Sequence, residues 1–240
     1  MPAIITFIGK KNCGKTTVIS KVVGHLTARG YRVAVIKSSR HQGALFDRPG
    51  TDTTTHKEAG ADSVMFIGPE QMVLQTGTSE LALATLAHRY LADVDIVIGE
   101  GFKQARKVAK IEVIRAQDHF LRTQVPGVIA VAADIEVPTG NKVFHLDQTM
   151  ALARFIEQRC NLGQPHATQR CTLLVNGSMI PLNGFIQDCL GETVEGFIRS
   201  LKLTDSIEQI ELRINKKHDF REPRRPRPGQ PAVIPAEPEK

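Results

Sequence analysis

One short stretch restricts what this chain can become more than any other. Gly9-Lys10-Lys11-Asn12-Cys13-Gly14-Lys15-Thr16 fits G-x-x-x-x-G-K-[ST] at every position. It is preceded by Ala3-Ile4-Ile5-Thr6-Phe7-Ile8, an apolar run suited to a buried parallel strand. After it, Val18, Ile19, Val22, Val23 and Leu26 recur at helical spacing, and Gly30 stands where a helix over residues 15–29 would end. Strand, glycine-rich loop and helix in that order form a phosphate cradle. The glycines let successive backbone N–H groups converge on phosphate oxygens, and the helix adds its positive end. Lys15 is the expected contact for the β- and γ-phosphates and Thr16 the expected Mg2+ ligand. The candidate nucleotide contacts of the loop are Gly9, Lys11, Asn12, Cys13, Gly14, Lys15, Thr16 and Thr17.

An α/β fold built on such a loop needs an acid at the end of a neighbouring strand, to hold Mg2+ and orient an attacking water. Asp95-Ile96-Val97-Ile98-Gly99-Glu100 supplies it, with Glu100 at the strand end as the candidate metal and catalytic residue. Asp95 precedes the strand and suits its start. Further strands are expected at 32–36, 63–67, 72–75, 110–114, 128–133 and 143–146. Helices are expected at 54–59, at 79–91 with Ser79 as cap, and at 148–159. The alternation argues for a P-loop fold with a mostly parallel sheet flanked by helices. Residues 161–169 look like a linker. A strand at 171–175, a turn at Asn176-Gly177, a helix at 185–201 and a strand at 209–214 would then make a small α+β appendage. The expected domains are 1–162 for nucleotide, 170–215 for the appendage, and 216–240 as a disordered, basic, proline-rich tail.

Charge and cysteines narrow the function. Of the net +6, half lies in residues 215–240, which hold seven Lys/Arg and four Asp/Glu. The body is too weakly basic for a nucleic-acid-binding face. No window approaches 18 consecutive apolar residues, and the N-terminus lacks the pattern of a signal peptide. Cys13, Cys160, Cys171 and Cys189 form no CxxC pair, so free thiols in a reducing cytoplasm are expected.

Several ordered pieces resemble one family. Beside the phosphate loop they are Ile36-Lys37 with the segment ending in His41, Asp47-Arg48-Pro49-Gly50-Thr51-Asp52-Thr53, and Ala59-Gly60-Ala61. Glu100-Gly101-Phe102-Lys103, then Ala109-Lys110-Ile111-Glu112 through Arg115, and a late strand ending in Asp134 complete the set. Over about residues 3–160 the chain resembles the molybdopterin-guanine dinucleotide biosynthesis adapter family. The resemblance implies GTP and Mg2+ as cofactors and slow or assisted hydrolysis. It also implies a homodimer, and as partners a molybdopterin guanylyltransferase and molybdopterin or its dinucleotide. The sequence departs from the family at Cys13, where Ser or Thr is common, and at Ser38-Ser39-Arg40-His41, where the family is often His-rich. Lys37 is a candidate contact for phosphate or pterin. Asp52, with Asp47, is a candidate for a loop that responds to the γ-phosphate. Asp134 is a candidate for the guanine edge, because a carboxylate accepts both N1–H and N2–H2. Lys103, Lys107 and Lys110 form either a basic rim or a solvated face. Two alternatives stand beside this reading: a small-metabolite P-loop kinase, and a metal-delivery GTPase for a nickel enzyme.

Overall fold

The structure is a computed structural model that describes residues 2–39, 47–77, 81–115, 120–163, 171–175 and 178–201, together with 207, 210–212 and 214. Its central sheet has the order β2-β5-β1-β6-β7-β8. These strands are β1 (Ala3–Ile8), β2 (Val33–Lys37), β5 (Ile96–Glu100), β6 (Ala109–Ile114), β7 (Val128–Ala133) and β8 (Lys142–Phe144). All the pairings among them are parallel. Such a sheet needs cover on both faces, and its inner strands accordingly read as unbroken apolar runs. In β5 every residue is buried, including Glu100 at its end.

On one face, Ile5, Phe7, Ile96, Ile98, Ile111 and Val113 pack with α1 (Lys15–Thr27) and α4 (Thr149–Arg159). Helix α1 contributes Val18, Ile19, Val22 and Leu26, the stripe its spacing predicts. On the other face, α3 (Leu83–Tyr90) approaches Gly99 so closely that a Cβ there would lie 2.8 Å from Thr6 and 3.0 Å from Leu83. No side chain fits at residue 99, and that tight seam aligns the end of β5 beside β1.

Helix α2 (Asp52–Glu58) starts earlier than its apolar pattern suggests, because Thr51 caps it by accepting a hydrogen bond from the Thr54 amide. Strands β3 (Ser63–Ile67) and β4 (Met72–Thr76) form a separate antiparallel hairpin. The start of α3 also differs from expectation. It begins at Leu83 after Ala82, and the expected cap Ser79 lies outside the described residues. Asp95 accepts from the Arg32 amide at 2.7 Å, joining the starts of two strands as a structural residue.

By internal contacts the chain divides into Met1–Glu195 and Gly196–Lys240. The first unit includes β9 (Leu173–Val175) and β10 (Ser178–Ile180), an antiparallel pair whose second strand the sequence did not suggest. The expected turn at residues 176 and 177 lies outside the described residues, as do 215–240 and His41. Helix α5 covers Gly184–Ser200. Of the expected strand at 209–214, residues 210–212 and 214 are described and carry no strand.

Candidate functional site

The phosphate loop leaves β1 and turns sharply. Asn12 and Gly14 both take left-handed backbone, at φ 62° and 88°. A Cβ at Gly9 would lie 2.5 Å from the Val113 carbonyl oxygen and 2.6 Å from Cys13 Sγ, so glycine is required there by backbone contact. Gly14 caps α1 without any side-chain hydrogen bond, and the first helical bond runs from the Val18 amide to its carbonyl. Gly14 therefore offers the first-turn N–H groups of α1 no side-chain acceptor, which is the condition that favours an anion at a helix start. Lys15 Nζ donates to the Gly9 carbonyl at 3.2 Å, to the Lys10 carbonyl, and to Cys13 Sγ at 3.6 Å. The loop thus holds its own lysine over its mouth.

Glu100 lies one strand away. Its Oε1 accepts from the Thr16 hydroxyl at 2.9 Å and stands 3.5 Å from Lys37 Nζ. The fold brings the loop threonine and the strand-end acid into direct contact, although 84 positions separate them. Hard oxygen donors from a hydroxyl and a carboxylate suit Mg2+. A lysine ammonium already rests on the carboxylate as a stand-in cation, so these residues fit the metal that such loops employ.

These groups open into a cleft of about 1640 Å³. Gly9, Lys11, Asn12, Gly14, Lys15, Thr16, Thr17, Lys37 and Glu100 all line it. Among the described residues lining it, Glu100 is the one carboxylate, whereas Lys103, Arg106, Lys107 and Arg115 add cations. Cys13, Asp52 and Asp134 lie outside the lining. Cys13 is buried beneath the loop. Asp52 opens α2. The neighbouring Asp47 carboxyl is held below its usual range by the Thr53 hydroxyl first, then by the Arg48 amide and the Thr51 hydroxyl.

Lys110 is not part of a basic rim. It is 2% exposed, and its Nζ donates to the carbonyls of Ala105 at 2.7 Å and Val108 at 3.0 Å. Burial pushes its pKa down. It holds Ala105 and Val108, in the stretch 101–108 that also lines the cleft, where Phe102 and Lys107 have left-handed backbone at φ 48° and 56°.

Arg115 is the site residue that sequence reasoning missed. Its Nη2 lies 3.5 Å from where a Gly14 Cβ would be, and its Nε stands 3.5 Å from Asp134 Oδ2. It therefore links the end of β7 to the phosphate loop. The signal was a cation directly after an apolar strand, but only the strand order shows that this strand adjoins β1.

The family model for molybdopterin guanine dinucleotide synthesis protein B matches residues 4–134, more than half of the chain. The chain is 31% identical over 163 residues to the molybdopterin-guanine dinucleotide biosynthesis adapter protein of Escherichia coli (strain K12). That alignment covers 65% of this chain and 92% of the relative. A putative adapter protein of the same description from Methanocaldococcus jannaschii is 24% identical, and the match covers 88% of this chain and 97% of the relative. The likeness to that relative thus runs past the segment that the family model spans. Among solved structures, a crystal structure of molybdopterin-guanine biosynthesis protein B superimposes with a TM-score of 0.55 at 30% identity, covering 65% of this chain and 99% of that one. With the phosphate loop, the strand-end acid and the parallel sheet in register, these likenesses identify the chain as a member of the MobB family.

Proposed function

We propose that the chain binds a guanine nucleotide with Mg2+ in the cleft between residues 9–17 and Glu100, and serves as an adapter to a molybdopterin guanylyltransferase. The observation that carries the reading is the contact of Thr16 with Glu100 at 2.9 Å, which puts two hard oxygen ligands beside the phosphate loop. Lys15 and the loop amides hold the phosphates. When Mg2+ is bound it neutralises phosphate charge, and Thr16 and Glu100 are the side chains that would hold it.

Hydrolysis at this site is slow in the proposal. Glu100 is the one carboxylate among the described lining residues, and it is already engaged by Thr16 and Lys37. Among the described lining residues that leaves no second acid to take a proton from water or from an acceptor hydroxyl. Asp134 would select guanine through its carboxylate, oriented by Arg115. Asp52, in the first turn of α2, would pass the state of the γ-phosphate to the segment before it. The exposed apolar hairpin side chains Met65, Phe66, Ile67 and Met72 suit a second copy of the chain. The protein works in the cytoplasm beside its partner enzyme.

The test is competition of GTP and ATP against a labelled guanine nucleotide with Mg2+, followed by co-purification with the guanylyltransferase. GTP should win, and Asp134→Asn should lose preference by about 1–3 kcal/mol. Equal affinity for GTP and ATP in the wild type would reject the guanine reading.

A further inference from the structure

We infer that Lys37 is an internal competitor for the metal-binding carboxylate: its ammonium holds Glu100 until a divalent cation arrives with the nucleotide phosphates. The inference rests on the nucleotide reading above and adds what must leave the site for the cation to enter.

Lys37 and Glu100 are the last residues of β2 and β5, and they are direct register partners. The Ser38 amide donates to the Glu100 carbonyl at 3.0 Å, so the backbone fixes the two side chains beside each other. One oxygen, Glu100 Oε1, takes both the Thr16 hydroxyl and the Lys37 ammonium. A divalent cation between Thr16 and Glu100 would meet that ammonium at contact distance. Two positive groups sharing a partly buried carboxylate repel strongly. One of them has to move, and exposure decides which. The Glu100 side chain is 11% exposed and packed at the strand end, whereas that of Lys37 is 60% exposed. A lysine chain on an edge strand swings into water at little cost. Cation entry therefore displaces Lys37 toward the cleft it lines, and leaves Glu100 and Thr16 where they are.

This role differs from that of a simple phosphate contact. A phosphate-binding lysine strengthens nucleotide binding, so its loss weakens the complex with or without metal. A competitor for Glu100 raises the Mg2+ concentration needed, so its loss lowers that requirement.

The experiment titrates Mg2+ into the full-length protein with a slowly hydrolysed fluorescent GTP analogue, for wild type, Lys37→Met and Lys37→Arg. Folding is checked by circular dichroism, with Lys37→Gln as a second neutral variant. The half-saturating Mg2+ concentration of the neutral variants should fall roughly two- to fivefold, the range for an ion pair with one exposed partner. Lys37→Arg, which keeps the charge, should stay near wild type. A half-saturating concentration that is unchanged or higher in a folded neutral variant overturns the inference while leaving the nucleotide reading intact. A wild-type protein that binds no analogue at any Mg2+ concentration overturns both.

Discussion

Two helices of this chain carry a similar message in sequence and meet different ends. Helix α1 spans 13 residues and buries Val18, Ile19, Val22 and Leu26 against the central sheet. Helix α5 spans 17 residues with an apolar stripe of its own, yet Gly191 is its only buried residue. Phe185, Ile186, Leu190 and Phe197 are left substantially in water. An amphipathic pattern states that a helix has a face to cover, but not what covers it. Helix α1 also begins at the candidate phosphate loop, so in the proposed function packing and phosphate binding share one element. The difference teaches that the same pattern yields a packed element where a sheet lies beneath it and an exposed apolar face where none does.

The largest effect expected on this contrast comes from paired truncations. Leu26→Ala should cost about 2–5 kcal/mol, the range for emptying a packed core site. Phe185→Ala should stay within about 0.5 kcal/mol, as for an exposed residue. Urea unfolding of both variants reads the difference, and comparable losses would mean that α5 belongs to the core. Next, Lys15→Ala separates the two duties of α1. It should reduce nucleotide affinity by a hundredfold or so, about 3 kcal/mol, while the unfolding midpoint holds. Loss of both together would mean that the loop and the helix packing are not separable.

A smaller effect sits where the segment that follows α1 is tied to α4. The Glu157 carboxyl is held below its usual range by the Tyr31 hydroxyl first and then by Arg29, whose Nη2 donates to it at 2.8 Å. Because the folded value lies below the unfolded one, the contribution is present above the ordinary carboxylate range. It is lost as pH falls through the folded value. Glu157→Gln should cost about 1 kcal/mol at neutral pH and flatten the acid side of the stability curve. Unfolding midpoints measured from pH 7 down to pH 3 would show it. An acid limb as steep as that of wild type would acquit this pair. The smallest effect belongs to removal of everything after Gly163. Leu162 packs into the core, so the cut follows it. The shortened protein should keep its unfolding midpoint and its nucleotide affinity, and failure of either would make the appendage part of the nucleotide domain.

The parts of the site that were legible in sequence share one property: each is local. Gly9, Gly14, Lys15 and Thr16 are fixed by spacing within one loop. Glu100 follows from an apolar run that ends in an acid. What escaped depends on lateral order. Arg115 counts as a site residue only because β6 lies next to β1, and no residue near Arg115 announces that. Lys110 reads, with Lys103 and Lys107, as part of a basic rim or of a solvated face. It is enclosed because residues 105–108 fold back over it and Gly127 comes close from the other side. The sheet class was readable from alternation, but β10 was not, since a strand of three residues is too short to show a period of its own and is defined by its pairing with β9.

The strand order has one more consequence, which concerns synthesis of the protein and not its finished state. Strand β1 is synthesised well before both of its neighbours: Ala3 pairs with Ile96 on one side and Ile5 with Ala109 on the other. At roughly 5–20 residues per second, its apolar segment waits on the order of 5–20 seconds before either neighbour exists. During that interval α1 can form, but it has no sheet to pack on. Pairing over such separations is also slow for reasons of chain entropy. The segment that leads into the loop at residues 9–17 is therefore open to chaperones and to neighbouring nascent chains until those partners are made.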